Sequence, residues 1–184
     1  MKKFAFAFSL IFFSMTANAA DVAGVKVDDK IRVGNADLTL SGAGLRKRIV
    51  FQVYVIGLYV ADPKGDRIAQ LGPKRVAIHM LRDVDAEDFI EALAKGIRDN
   101  HPEAEAKALE PRVKELGAVI VAIKEAKKGM AISLDWTGSA TQVVIDGKPA
   151  GAPIAGEDFY RALLRIWLGD KPVQDDLKKA LLGG

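Results

Sequence analysis

Residues 49–60, with the sequence IVFQVYVIGLYV, are the stretch that decides the fold. They are rich in β-branched and aromatic residues and contain no proline, which is typical of a β-strand. Because side chains alternate along a strand, these residues fall into two sets. One face carries Val50, Gln52, Tyr54, Ile56 and Leu58, and the other carries Phe51, Val53, Val55 and Tyr59. Both faces are largely apolar, so we expect a central strand that is covered on both sides.

Shorter strand-like segments lie on both sides of this stretch. Those before it span residues 22–27, 31–33 and 37–40, and those after it span residues 75–81, 130–136 and 141–145. Asp146-Gly147 is typical of a two-residue hairpin turn, and it leads into a last short strand at residues 150–154. We expect these segments to form one mainly antiparallel sheet.

A first helix is predicted over residues 86–99, where apolar residues recur at helical spacing after a capping box that begins at Asp85. A second helical region follows Pro102. Pro111 either kinks this region or starts a third piece, because proline cannot continue the hydrogen bonding of a helix interior. Residues 119–123 fit a strand as well as a helix, and both alternatives stay open.

The end of the chain predicts two more helices. Residues 156–168 place their aromatic and aliphatic residues on one stripe, and Pro172 opens a final short helix that ends at Gly183. The order is therefore strands, then helices, then a hairpin and further helices. This order predicts an α+β fold with one sheet and helices packed on a face of it.

The N-terminus has the pattern of a secretory signal peptide. Two lysines precede an apolar run over residues 4–15, and Ala17-Asn18-Ala19 matches a cleavage site. An uncleaved anchor is the alternative, but a spanning helix needs about 20 apolar residues. We therefore predict a signal peptide over residues 1–19 and one domain over residues 20–184. The mature protein would be periplasmic and would not insert stably into a membrane.

Composition and charge exclude several classes of function. The chain has 27 lysines and arginines against 24 acidic residues, and cleavage after Ala19 removes two lysines and no acid. The mature chain is thus close to neutral, which gives no support for nucleic acid binding. A sequence without cysteine excludes disulfides, thiol catalysis, cysteine-ligated zinc and anchoring through a lipidated cysteine. The two histidines, His79 and His101, lack metal-ligand spacing, so we expect no metal and no cofactor.

Two polar or glycine-rich clusters have structural explanations. Asp83, Asp85, Glu87 and Asp88 can bind a cation or act as acid and base, but capping and the helix dipole alone favour carboxylates at a helix N-terminus. Gly42-Ala43-Gly44 lacks the lysine and hydroxyl residue of a phosphate-binding loop, and it precedes a strand rather than a helix. Neither cluster predicts a site.

Arg46-Lys47-Arg48 is the cluster of most chemical interest. It is interpreted either as an exposed sheet edge or as a source of one guanidinium that faces a cavity and binds a carboxylate or an enolate. In a straight strand Tyr54 would share a face with Arg46, but at ~3.3 Å per residue the two would be ~26 Å apart. They can share a ligand only if the chain folds back between them, and no glycine or proline lies there.

An ordered set of motifs resembles the chalcone isomerase superfamily, and the likeness covers nearly all of the mature chain. The motifs are Gly42-Ala43-Gly44-Leu45-Arg46, FQVYVIGLY at residues 51–59, Arg82-Asp83-Val84, Asp146-Gly147-Lys148, and FYRALLRIWLG at residues 159–169. The likeness is closest to the bacterial exported chalcone isomerase-like branch. It implies an open-faced β-sandwich, which is a large antiparallel sheet with a layer of helices and a ligand cleft between them.

The resemblance also suggests which residues bind a ligand. In the plant enzymes an arginine, a threonine, a tyrosine and an asparagine serve the addition of a phenol to an enone. Arg46 matches the arginine, whereas Tyr54 stands at the threonine, Asp85 near the tyrosine and Ala92 near the asparagine. An ionised aspartate does not donate as a phenol does, and alanine donates nothing. The fatty-acid-binding branch instead combines the arginine with a tyrosine at the place of Tyr54 to hold a carboxylate, although more residues separate the two there.

Three functions follow from this resemblance. The first is a non-catalytic periplasmic binding protein for a fatty acid or similar carboxylate-bearing amphiphile, with Arg46, Tyr54 and Tyr59 as ligand-binding residues. The second is an isomerase or lyase on an enone, with Arg46 stabilising an oxyanion and Tyr54 or Tyr59 as acid or base. The third is a ligand-free scaffold or assembly protein. We favour the first, because most polar residues of the plant enzymes are not matched.

Overall fold

Eleven strands and four helices make up the described part of the chain, residues 19–184 of the computed structural model. The strands are β1 (Ala19–Val22), β2 (Val25–Asp28), β3 (Lys30–Val33), β4 (Ala36–Arg48), β5 (Phe51–Val60), β6 (Lys74–Met80), β7 (Val84–Asp85), β8 (Glu125–Ala126), β9 (Ala131–Trp136), β10 (Ala140–Ile145) and β11 (Lys148–Ala155). The helices are α1 (Ala86–Asp99), α2 (Glu103–Val121), α3 (Glu157–Leu168) and α4 (Asp175–Leu181). The predicted signal peptide lies outside the described residues except for Ala19.

Seven strands form one antiparallel sheet in the order β11-β10-β9-β6-β5-β4-β3. This confirms the predicted sheet and the hairpin turn at Asp146-Gly147. Residues 22–27, predicted as one strand, instead form the β1–β2 hairpin, because Ala23 and Gly24 both adopt positive φ values, 51° and 81°. That hairpin is a separate two-stranded sheet, as is the short β7–β8 pair.

Strand β5 is covered on both faces, as the alternation of its side chains predicts. Tyr54, Ile56 and Leu58 belong to the larger hydrophobic core, to which α1, α2 and α3 contribute. Val55 and Tyr59 belong to a smaller core on the other face, which is completed by residues of β2, β3 and β4. The helices thus form a layer on one face of the sheet, and the expected α+β architecture is confirmed.

The predicted straight strand over residues 49–60 is wrong at its start. The chain reverses at Ile49 and Val50, so that β4 and β5 form a hairpin in which Arg48 pairs with Phe51. No glycine is needed because Ile49 itself takes a φ of 58°, which is uncommon for a β-branched residue.

Gly42 and Gly44 lie inside β4 and face α4. A Cβ atom at Gly42 would lie 2.0 Å from the carbonyl oxygen of Ala180, and one at Gly44 would lie 2.6 Å from Leu177 Cδ1. Glycine therefore lets the last helix pack directly on the backbone of β4.

Helix α1 has the bounds that the sequence predicts, and Asp85 caps it by accepting hydrogen bonds from two backbone amides. Helix α2 continues through Pro111 to Val121, so a strand at residues 119–123 is excluded. Helix α4 begins at Asp175, three residues after the predicted start. None of the helices described is long and apolar enough to cross a membrane.

Candidate ligand-binding site

A cavity of about 450 Å³ opens beside the turn of the β4–β5 hairpin. Its walls come from this hairpin, from the segment that leads into α1, from α1 itself and from α3. Apolar side chains form much of the lining, notably those of Phe51, Val53, Phe89, Leu93 and Ile166. The volume lies within the range of small-molecule pockets, about 300–1,000 Å³.

Arg46 and Tyr54 are direct cross-strand partners in the β4–β5 hairpin, and both line this cavity. Residues that lie opposite each other in an antiparallel pair point to the same face, with Cβ atoms about 5 Å apart. The chain therefore folds back between them, as a shared ligand requires. The separation of ~26 Å in a straight strand does not apply.

A β-bulge in β5 adds two apolar side chains to the cavity lining. Arg46 pairs with Tyr54 but Lys47 pairs with Gln52, so Val53 is the extra residue. Phe51 and Val53 were predicted on the face opposite Tyr54. The shifted register places them in the lining of the same cavity as Tyr54.

Arg46 lacks a carboxylate partner. It takes part in none of the ion pairs formed within residues 19–184. Its Nη1 donates to the carbonyl oxygen of Lys47 at 2.5 Å and lies 3.4 Å from Gln174 Oε1. A guanidinium has five N–H donors, so most of its hydrogen-bonding capacity is available to a ligand.

Gln174 fixes the strand that carries Arg46. Its Oε1 accepts a hydrogen bond from the backbone amide of Lys47 at 2.9 Å, and its Nε2 donates to the carbonyl oxygen of Leu45 at 3.2 Å. The amide of Gln174 therefore holds β4 on both sides of Arg46. Sequence reasoning missed this residue, since it lies 128 positions away from Arg46.

Tyr54 is buried and its oxygen accepts a hydrogen bond from Trp167 Nε1 at 3.0 Å. Burial raises the pKa of Tyr54, and the hydrogen bond from Trp167 and the positive charge of Arg46 oppose this shift. The phenol thus stays protonated at neutral pH. The Tyr54 hydroxyl donates to no acceptor within residues 19–184, so its proton is available for donation to a ligand.

Trp167 was predicted only as an inward-facing residue of α3, and its role at the site was missed. It is 1% exposed and belongs to the larger core. A buried indole N–H needs an acceptor, which is the one signal that could have pointed to a polar partner.

Tyr59 lies on the opposite face of the sheet and does not line the cavity. It packs in the smaller core with Val27 and Val55. Burial raises the pKa of Tyr59 to about 12, and the nearby charge of Asp28 adds to the shift. Five positions separate the two tyrosines along β5, and an odd separation places side chains on different faces. The structure brings Arg46 and Tyr54 together and separates Tyr59 from them.

The remaining sequence candidates have local roles. Asp85 and Ala92 both line the cavity, but Asp85 caps α1, and Asp83 accepts a hydrogen bond from the backbone amide of Lys128 at 2.7 Å. His79 is half-buried in β6, and His101 Nδ1 donates to the carbonyl oxygen of Ile97. Across residues 19–184 no group of side chains is arranged to hold a metal ion.

The family model described as chalcone isomerase-like matches residues 19–183. The chain belongs to the chalcone isomerase-like family. A solved structure of a fatty-acid binding protein from Arabidopsis thaliana (AtFAP1) is similar, with a TM-score of 0.67 and 14% sequence identity. The alignment covers 87% of this chain and 92% of that one, and at this identity it shows a shared fold. The comparison with curated protein sequences gives no match.

Proposed function

We propose that this protein is a non-catalytic binding protein for a fatty acid or a similar amphiphile that carries a carboxylate. The observation that carries the proposal is the pair Arg46 and Tyr54 at an apolar cavity, with no carboxylate of the described chain bound to the guanidinium. The similar fold of a plant protein named for fatty-acid binding supports it.

The chemistry of the two polar groups suits a carboxylate. Arginine stays charged when it is partly desolvated, and its planar fork binds both carboxylate oxygens. Tyr54 adds an uncharged donor beside it. The acyl chain would lie along the apolar lining, where each buried methylene contributes about 0.8 kcal/mol. Affinity should therefore rise about fourfold per methylene until the cavity is full.

Isomerase activity on an enone is the weaker alternative. Of the polar positions carried over from the plant enzymes, Asp85 is engaged as a helix cap and Ala92 has no donor. Tyr54 is the polar group best placed to transfer a proton, but its raised pKa makes it a poor base at neutral pH.

We also propose that the protein is exported through its N-terminal segment and acts in the periplasm. The charged start, the apolar run of residues 4–15 and the small residues before Ala20 support this. Expression of the full chain in a bacterium, followed by fractionation and mass measurement, tests it. We expect a mature chain that starts at Ala20 in the periplasmic fraction, and an uncleaved cytoplasmic chain would contradict the proposal.

A binding titration tests the proposed function. Wild-type protein, stripped of lipid, is titrated with palmitate beside Arg46→Ala and the control Arg98→Ala, which alters an exposed arginine of α1. Losing a charged hydrogen bond of about 1.5–3 kcal/mol should weaken palmitate binding by Arg46→Ala about tenfold to a hundredfold. The control should match wild type.

Native mass spectrometry of the protein as purified should also show a co-purified acid in wild type. Equal palmitate affinity of Arg46→Ala and wild type would contradict the role of Arg46. Turnover of chalcone without palmitate binding would favour the isomerase.

A further inference from the structure

The tip of the β4–β5 hairpin, residues 47–51, is an exposed apolar projection. Ile49 is 89% exposed, Val50 is 79% exposed and Phe51 is 55% exposed. Within residues 19–184 the other exposed large hydrophobic residues are scattered singly: Leu71, Val121 and Leu182. Isolated residues of this kind are ordinary, whereas a contiguous apolar patch at a projecting tip indicates a contact surface.

The backbone of the tip makes its apolar character unusual. Two-residue hairpin turns favour glycine, asparagine or aspartate at positions with positive φ. Here Ile49 takes a φ of 58°, although a β-branched residue in this region is sterically costly. Polar turn residues would fit the backbone better, so the apolar side chains point to a function outside the fold.

Unpaired cations surround the apolar tip. Lys47 and Arg48 are exposed, and the guanidinium carbon of Arg82 lies 4.7 Å from the centroid of the Phe51 ring. None of these three forms an ion pair within the described chain. The nearby carboxylates Asp83 and Asp85 lie beyond the hairpin, before α1, and accept hydrogen bonds from backbone amides.

We infer that the hairpin tip docks on the surface of a lipid bilayer that carries anionic headgroups. Ile49, Val50 and Phe51 enter the boundary between headgroups and acyl chains, while the flanking cations contact the anionic headgroups. A protein partner fits less well, since stable protein interfaces bury about 800 Å² and 20–30 residues per side. A two-residue turn with its neighbours is much smaller and projects from the surface.

Docking in this way places the mouth of the cavity against the bilayer, because Arg48, Ile49 and Phe51 belong to both the tip and the cavity wall. A single-chain amphiphile can then pass between the bilayer and the cavity without crossing water. This passage rests on the proposed function, whereas the docking itself does not.

Vesicle flotation tests the docking. Wild type should float with vesicles that contain phosphatidylglycerol and should not float with pure phosphatidylcholine vesicles. Val50→Asp should bind about tenfold more weakly, because it places a charge in the boundary region. Lys47→Glu should bind about 25-fold more weakly, since an attraction of about fivefold per cation becomes a similar repulsion.

Matched controls lie at the other end of the sheet. Leu71→Asp alters an equally exposed apolar residue, and Lys64→Glu reverses an exposed cation in the loop between β5 and β6. Both should float like wild type. The chain has no cysteine, so an environment-sensitive dye can be attached at Val50→Cys or at Leu71→Cys alone. Only the dye at position 50 should report an apolar environment on phosphatidylglycerol vesicles.

Several outcomes would overturn the docking. They are equal flotation of Val50→Asp and Leu71→Asp, equal flotation on the two kinds of vesicle, and a dimer of wild type that Val50→Asp dissociates. The last would make the tip a contact between two copies of the chain.

A palmitate titration without vesicles separates this inference from the proposed function. Val50 does not line the cavity, so Val50→Asp should bind palmitate like wild type. Wild type that binds palmitate but does not float with phosphatidylglycerol vesicles would overturn the docking alone. Wild type that floats but does not bind palmitate would overturn the proposed function alone.

Discussion

The two faces of the central strands carry the same pair of residues in different electrostatic surroundings. On one face Arg46 lies across from Tyr54, and on the other Arg75 lies across from Tyr59. Arg75 makes a two-pronged ion pair with Asp135 of the next strand, with both N–O distances 2.5 Å. Arg46 has no such partner within the described chain.

In our proposal this difference separates Arg75, which has a structural role, from Arg46, which binds a ligand. Asp135, which is 5% exposed, completes the charge balance of the face that the β1–β2 hairpin helps to cover. The Arg46 face instead borders an open cavity. In our proposal a ligand carboxylate takes the position beside Arg46 that the Asp135 carboxylate takes beside Arg75.

We expect the largest effect in the free energy of unfolding, where Arg75→Ala and Arg46→Ala should differ. Arg75→Ala leaves the buried carboxylate of Asp135 without its partner and should lower the free energy of unfolding by about 3 kcal/mol. Arg46→Ala removes hydrogen bonds to neutral acceptors at a partly exposed site and should cost less than about 1 kcal/mol. Urea unfolding of both variants measures this.

A second variant sharpens the stability comparison. Adding Asp135→Ala to Arg75→Ala should recover part of the loss, because no unpaired buried charge then remains. Equal losses in Arg46→Ala and Arg75→Ala would erase the contrast between the faces.

Removing the hydroxyl of Tyr54 or of Tyr59 should have a smaller effect on stability. The effect on palmitate binding should again differ between the two faces of the sheet. Tyr54→Phe leaves the buried Nε1 of Trp167 without an acceptor, which should cost about 1–3 kcal/mol of stability. It should also weaken palmitate binding about fivefold, the value of one net hydrogen bond of about 1 kcal/mol. Tyr59→Phe is the matched control and should leave palmitate affinity unchanged. A similar loss of affinity in both variants would show that the hydroxyls act only through the fold.

The smallest of these effects should be a decline in the free energy of unfolding at alkaline pH. The pKa of Tyr59 is raised from about 10 to about 12, chiefly by burial. The folded state therefore keeps a proton that the unfolded state loses above pH 10. This stability is complete below pH 10 and declines as the pH rises through the folded value, by at most about 1.4 kcal/mol per pH unit.

The matched measurement is urea unfolding at several pH values from neutral to alkaline. Tyr59→Phe should make the decline above pH 10 less steep, since a phenylalanine cannot ionise, whereas Tyr54 and Tyr160, whose pKa values burial also raises, still contribute to it. A decline of unchanged slope in this variant would show that other groups control alkaline unfolding.

The parts of the fold that depend on local pattern could be predicted from the sequence. Alternation along β5 placed Tyr54 and Tyr59 on different faces, and the capping residue Asp85 fixed the start of α1. The hairpin turn could not be predicted, because Ile49 and Val50 carry no turn signal and Ile49 adopts a conformation that its side chain disfavours. The pairing of Arg46 with Tyr54 depends on that turn.

Long-range contacts were also beyond local reasoning. Gly42 and Gly44 carry the composition of a turn, but they are required by the approach of α4 from the other end of the chain. The acceptor for Trp167 and the support from Gln174 likewise come from residues more than 100 positions away. Only the three-dimensional arrangement shows that Gln174 supports the strand that carries Arg46 and that Trp167 contacts Tyr54.

The most direct test of the account is the coupling between Arg46 and the carboxylate of a ligand. Palmitate and the neutral cetyl alcohol are titrated into wild type and into Arg46→Ala at neutral pH. We predict that wild type binds palmitate at least about tenfold more tightly than the alcohol, and that Arg46→Ala binds the two alike. A preference for palmitate that survives in Arg46→Ala, or its absence in wild type, would contradict the account.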